Sequence, residues 1–126
     1  MGQCYSVIMN VRFTDEQGAM RALQEKMGRA EEDHVNYNLE HFSELGISTD
    51  SLSDLLGIFF GGWKGKLERQ GEELYSGFNA CYGWEGLMID AFDELAPYLE
   101  EDSWIKIYPD SGVDYGRIKD SRVVWE

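Results

Sequence analysis

The chain has two cysteines, two prolines, two histidines and only 11 Lys plus Arg in 126 residues. Each scarcity excludes something. Cys4 and Cys81 are too few for a disulfide scaffold and read as reduced thiols of a cytoplasmic protein. No run of about 18 apolar residues occurs, so no membrane-spanning helix is expected. Eleven cations against 24 Asp plus Glu leave a net charge of −13. That balance argues against direct nucleic-acid binding through phosphate neutralisation, and against docking on an anionic membrane. The opening MGQCYSVIMN lacks the charged region, apolar stretch and cleavage site of a targeting segment. Gly2 and Ser6 fit the loose myristoylation pattern, but a strand alternation runs straight through them.

Catalytic signatures are missing as well. There is no H-E-x-x-H, no G-x-S-x-G and no P-loop. His34 and His41 lie seven residues apart, about 10.5 Å along a helix, too far to share one metal ion directly. Asp110-Ser111-Gly112-Val113-Asp114 resembles half of a calcium loop, but Arg117 and Lys119 stand where further ligands are needed, so it reads as a turn. No cofactor and no metal site is expected, and the balance leans away from an enzyme.

What is present is enough for one folded domain, with 43% apolar residues. Tyr5, Val7, Met9, Val11 and Phe13 alternate with polar neighbours, the pattern of a strand with one buried face. Thr14 and Gln17 have capping-box spacing, and Met20, Leu23 and Met27 predict a helix over about 15–28, stopped by Gly28. Val35, Leu39, Phe42 and Leu45 predict a second helix over about 31–45. A third, capped by Ser48 or Thr49, carries Leu52, Leu55, Leu56, Phe59 and Phe60 and closes at Gly61-Gly62. The segment WKGKLERQGEEL reads as a loop or exposed hairpin, followed by a strand from Leu74 on which Leu74, Phe78, Ala80, Tyr82 and Trp84 fit one face. Leu87 or Met88, with Ala91, Phe92, Leu95 and Leu99, mark a fourth helix, which Pro97 is expected to break near Ala96 before it resumes. SWIKIYPDSG predicts a strand, and YGRIKDSRVVWE a hairpin turning on Asp120-Ser121.

The expected fold is therefore α+β: a single domain with a mostly antiparallel sheet of four to five strands, helices on one face, in the order β-α-α-α-β-α-β-β. A ferredoxin-like variant is among the arrangements this order allows. Of the side chains on the helical stripes, Met20, Leu23, Leu55, Phe59, Phe92 and Leu95 are the expected core.

The excess charge sits in two blocks. Residues 31–62 hold seven acidic side chains and no Lys or Arg; residues 83–114 hold nine against Lys106 alone. In the second block Asp90, Asp93, Glu94, Glu100 and Glu101 fall on one helix face if the helix continues past Pro97. With Asp102 that is a charge about every 3 Å over about 18 Å of helix, close to the roughly 3.4 Å per phosphate of one DNA strand. Such a rod suits a basic groove on a partner, although a charged helix face more often serves solubility alone.

In size and charge the chain resembles small acidic proteins of phages and mobile elements, and immunity proteins, with no motif that carries residues across. The leading expectation is a small acidic interaction protein. It would bind, and by binding inhibit, a partner with a basic surface such as a nuclease or nucleic-acid-binding effector. The alternative is a small-ligand site at the strand-to-helix junction, built from Tyr75, Tyr82, Trp84 and Glu85. Nothing in the pattern sets an oligomeric state.

Overall fold

The computed structural model describes residues 2–32, 46, 50–62, 66–81, 84–110 and 112–126. Strand β1, Gly2–Asn10, follows from its alternation: Tyr5, Val7 and Met9 are buried, while Cys4, Ser6, Ile8 and Asn10 are not. Helix α1, Glu16–Glu32, starts where Asp15 Oδ1 accepts the Gly18 N–H at 3.0 Å, so the cap is Asp15 rather than Thr14. The Thr14 N–H donates instead to the Tyr98 carbonyl at 2.8 Å. Gly28 does not stop the helix, which runs four residues further. Apart from Glu31, Glu32 and Gly46, the predicted 31–45 helix and its stop lie outside the described residues, and so do His34 and His41.

Helix α2, Leu52–Phe60, is capped by Ser51, whose hydroxyl accepts the Asp54 N–H at 3.1 Å; the expected cap at Ser48 or Thr49 is displaced three or two residues along the chain. Strands β2, Glu68–Gln70, and β3, Glu73–Cys81, form the hairpin that the mixed-charge segment allowed. Trp84 is not on β3 but opens helix α3, Trp84–Leu95, which ends where Pro97 forces a single 3-10 turn, Ala96–Tyr98. Leu99 then leaves in extended conformation, bridged to Phe13, so the helix does not resume. Strands β4, Trp104–Tyr108, β5, Asp114–Lys119, and β6, Arg122–Trp125, complete the chain. The β5–β6 hairpin turns on Asp120 and Ser121, with φ of 54° and 62°, the two-residue loop read from sequence.

Among the described residues all strand pairings are antiparallel, in the order β2-β3-β1-β4-β5-β6. Among the described residues six strands form the sheet rather than four to five, because the short β2 and the terminal hairpin both join it. The order β2-β3-β1-β4 is the split βαβ pattern of ferredoxin-like folds, with β5 and β6 added beyond β4. One sheet face packs on the three helices. Its inward residues, such as Val7, Met9, Ala80, Ile105, Ile107 and Ile118, join Leu23, Leu55, Phe59, Trp84, Phe92 and Leu95 in one cluster. Met20 only edges this core and stays half-buried. Among the described residues no helix is long and apolar enough to cross a membrane.

Candidate functional site

The acidic surface is built around α3. Trp84, Met88, Ala91, Phe92 and Leu95 turn its apolar stripe inward. Gly86, Asp90, Asp93 and Pro97 are consequently exposed on the opposite side, at the i, i+4, i+7 and i+11 spacing of one helix face. Glu94 is half-buried at the flank of that face. Glu85 is half-buried in the first turn, where a carboxylate favours the positive end of the helix dipole.

Past Leu95 the even spacing along one rod is lost. Glu100, Glu101 and Asp102 sit on a turn between the 3-10 helix and β4, not on a helix face. That turn is stitched down. The Glu100 N–H donates to the Arg12 carbonyl at 2.7 Å, and the Arg12 N–H to Ser103 Oγ at 3.2 Å. The Asp102 N–H donates to the Ile118 carbonyl at 3.1 Å, and the Ile118 N–H to the Ser103 carbonyl at 2.8 Å.

Three of the five carboxylates singled out from sequence are also tethered. Asp93 Oδ1 accepts the Trp125 indole N–H at 3.0 Å. Glu101 accepts the Asp120 N–H through both oxygens, at 3.1 and 3.3 Å. Glu100 lies 3.6 Å from Arg12 Nε, an exposed pair worth little in stability. Arg12 Nη2 also donates to the Glu101 carbonyl at 3.0 Å. These partners are 19 to 89 residues away in the chain, so no local pattern announced them. The result is an acidic edge on which Asp93, Glu100 and Glu101 are tethered yet remain exposed.

The aromatic junction is divided by the sheet. Trp84 is fully buried among the helices, edge-on to Phe78 with ring centroids 6.3 Å apart. Tyr75 pairs with Ile8 and Glu68 and belongs to the other face of β3, since residues of odd number there point away from Leu74, Ser76 and Phe78. Tyr75 and Trp84 therefore do not line a common pocket, and Tyr82 lies outside the described residues.

A cleft of about 590 Å3 opens elsewhere, where the end of β1 meets the start of α2 and the β2–β3 hairpin. Val11, Phe13, Leu52, Leu67 and Leu74 give it half-buried apolar walls, and Arg12, Lys66 and Arg69 bring cations to it, against Glu16 and Asp54. Sequence reasoning missed this cleft because its walls come from four separate segments. Among the described residues no group of three or more His, Cys, Asp or Glu is placed to hold a metal ion. Comparison with known proteins returns no match, whether to a family model, a curated protein or a solved structure.

Proposed function

We propose that the chain is a non-enzymatic interaction protein of the cytoplasm that presents the α3 edge to a basic surface on a protein partner, a nuclease or nucleic-acid-binding effector, and inhibits it by occupying that surface. One observation carries the reading. From residue 71 to residue 105 there is no Lys or Arg, and within that span Asp90, Asp93, Glu100, Glu101 and Asp102 are exposed along α3 and the turn after it. Tethering adds to it. Carboxylates already fixed by Trp125, Asp120 and Arg12 lose less freedom when a cationic surface arrives than free side chains would. Concentrated charge of one sign also speeds encounter with a surface of the opposite sign. The free, exposed Cys4 thiol fits a reducing compartment.

The test removes charge but keeps the acceptors. In Asp90→Asn, Asp93→Asn, Glu100→Gln, Glu101→Gln, an amide oxygen remains to accept from Trp125 and from Asp120. The fold should be unchanged by circular dichroism. Basic proteins captured from the source cell by the parent chain at low salt, and released by high salt, should associate with the variant roughly tenfold or more slowly. Capture with the same rate and the same salt dependence would reduce the acidic edge to a solubilising surface.

The cleft favours a second reading, a site for a small amphipathic anion, with the apolar part on Leu52, Leu67 and Leu74 and the charge beside Lys66 and Arg69. Among the described residues neither cation has an ion-pair partner. The probe is 8-anilinonaphthalene-1-sulfonate, an apolar anion that fluoresces when desolvated. The native protein should bind it, and Lys66→Glu with Arg69→Glu, a change of two charge units at each of two contacts, should weaken binding by about tenfold or more. Equal binding by both proteins would remove the cleft from consideration.

A further inference from the structure

The outer face of the sheet is covered by none of the described helices, and it is far from polar. Tyr75 on β3, Ile8 on β1, Trp104 and Tyr108 on β4, and Tyr115 on β5 all lie on it. Lys106 Nζ rests 5.4 Å from the Trp104 ring centre and 5.5 Å from that of Tyr115. Tyr108 and Val124, two of the three most exposed large hydrophobic residues among those described, are on this face. Contiguous apolar surface of this kind marks an interaction site more often than chance exposure.

The charge on this face is divided across the strands. At the β2–β3 side stand Glu68 and Glu73; at the β5–β6 side stand Arg117, Lys119 and Arg122. A partner of one sign would be attracted by one half and repelled by the other. A second copy of this chain can set the Glu73 side against the Arg117 side. We infer that two copies pack through their outer sheet faces about a two-fold axis parallel to the strands, running between β1 and β4. That operation lays β3 on the partner's β5 and β2 on the partner's β6, so Glu73 of β3 meets the basic strand β5, while Glu68, on the Tyr75 row, falls beside the partner's Glu126 at the rim.

The register makes the contacts specific. Tyr75, Ile8, Lys106 and Tyr115 form one continuous ladder row across β3, β1, β4 and β5. Glu73 and Arg117 lie two residues further along β3 and β5, in the same direction, on the next row of that face. The two-fold axis therefore brings Tyr75 over the partner's Tyr115 and Glu73 over the partner's Arg117. At the roughly 10 Å spacing of packed sheets, aromatic rings from the two faces interleave and a Glu–Arg pair can span the gap. The helix layers, with their acidic edges, remain on the outside of the pair.

Size sets the strength. Six strands at about 4.8 Å and five residues at about 3.4 Å give a flat footprint of roughly 24 by 17 Å. This is about half of the roughly 800 Å2 per partner of a standard interface, which puts the pair among weak, transient associations. The experiment is sedimentation equilibrium of the full chain from about 5 to about 500 μM at low salt. The mass should rise from 14.5 kDa towards twice that value. Glu73→Arg alone and Arg117→Glu alone should each weaken dimerisation by tenfold or more, because each sets like charges opposite one another twice. The double swap, Glu73→Arg with Arg117→Glu, should restore it to within about threefold of the parent. Circular dichroism on each variant confirms that the fold persists. A parent chain that stays monomeric to 500 μM overturns the inference. So does a double swap as weak as the single variants, or single variants that dimerise as the parent does.

Discussion

Replacing Phe92 by alanine will cost the protein about 3–5 kcal/mol, the usual range for deleting a buried phenylalanine ring. Phe92 has no exposed surface and stands where three elements meet. Its ring is edge-on to Phe60 of α2 at 6.4 Å and to Trp125 of β6 at 6.0 Å. Truncation removes the ring's own burial and leaves both neighbours facing a void that neither can close alone. Phe60 is fixed in its helix and Trp125 is held by its hydrogen bond to Asp93. A domain of this size has about 5–15 kcal/mol in all, so the loss is a large share of the total. Urea melts should show it as a lower midpoint, and thermal melts as a fall of about 10–20 °C. A loss below about 1 kcal/mol would mean that the core closes around the gap.

The Asp93–Trp125 contact also links this core prediction to the proposed surface. The residue that gives α3 part of its charge is the residue that fixes β6 to α3 from outside, next to Phe92 inside. That is why the binding test uses amides rather than lysines. A charge reversal at Asp93 would strike the helix-to-sheet joint and the acidic edge together, and a lost interaction would then have two explanations.

Much of this was legible in the sequence where the signal is local. The stripe on α3, the alternation in β1 and the Asp120-Ser121 turn each follow from period or turn chemistry within a dozen residues. Phe59, Phe92 and Leu95 are buried for the reason their spacing gave. Met20 is not, because it sits at the edge of the stripe whose centre is Leu23 and Met27. The long acidic rod was not legible as it stands. Its second half depends on whether Pro97 kinks a helix or ends it, and tertiary contacts decided that: the bridge from Leu99 to Phe13 and the hydrogen bonds at Arg12 draw the chain out of helical conformation. The sheet's outer face was half visible. Alternation showed which residues of β1 point outward, but only the strand order placed Tyr75 and Tyr115 on one row two strands either side of the middle.

Gly62→Ala should destabilise the protein by about 2–4 kcal/mol, far more than an exposed-loop substitution normally does. Two costs combine at this position. Gly62 has a φ of +68°, just past the end of α2, where a side chain costs about 1–2 kcal/mol. A Cβ there would also lie 2.3 Å from Phe78 Cγ, well inside contact distance. Phe78 has little room to retreat. Its ring stacks on Tyr5 with centroids 5.5 Å apart at 28°, and meets the buried Trp84 edge-on at 6.3 Å. Moving it therefore disturbs the packing of β1 and α3 as well, at the 1–3 kcal/mol typical of overpacking. Gly71, in the β2–β3 turn, isolates the first cost: its φ is +65°, but nothing lies within 4 Å of where its Cβ would stand. Gly71→Ala should cost only the backbone part, about 1–2 kcal/mol. Combining Gly62→Ala with Phe78→Ala gives the second cost directly, because the double variant should be more stable than the sum of the single losses allows. Urea melts of the four proteins and the parent decide the matter. Equal losses at Gly62 and Gly71, with additive behaviour in the double variant, would show that Phe78 yields freely and that the stack around Trp84 is loosely held.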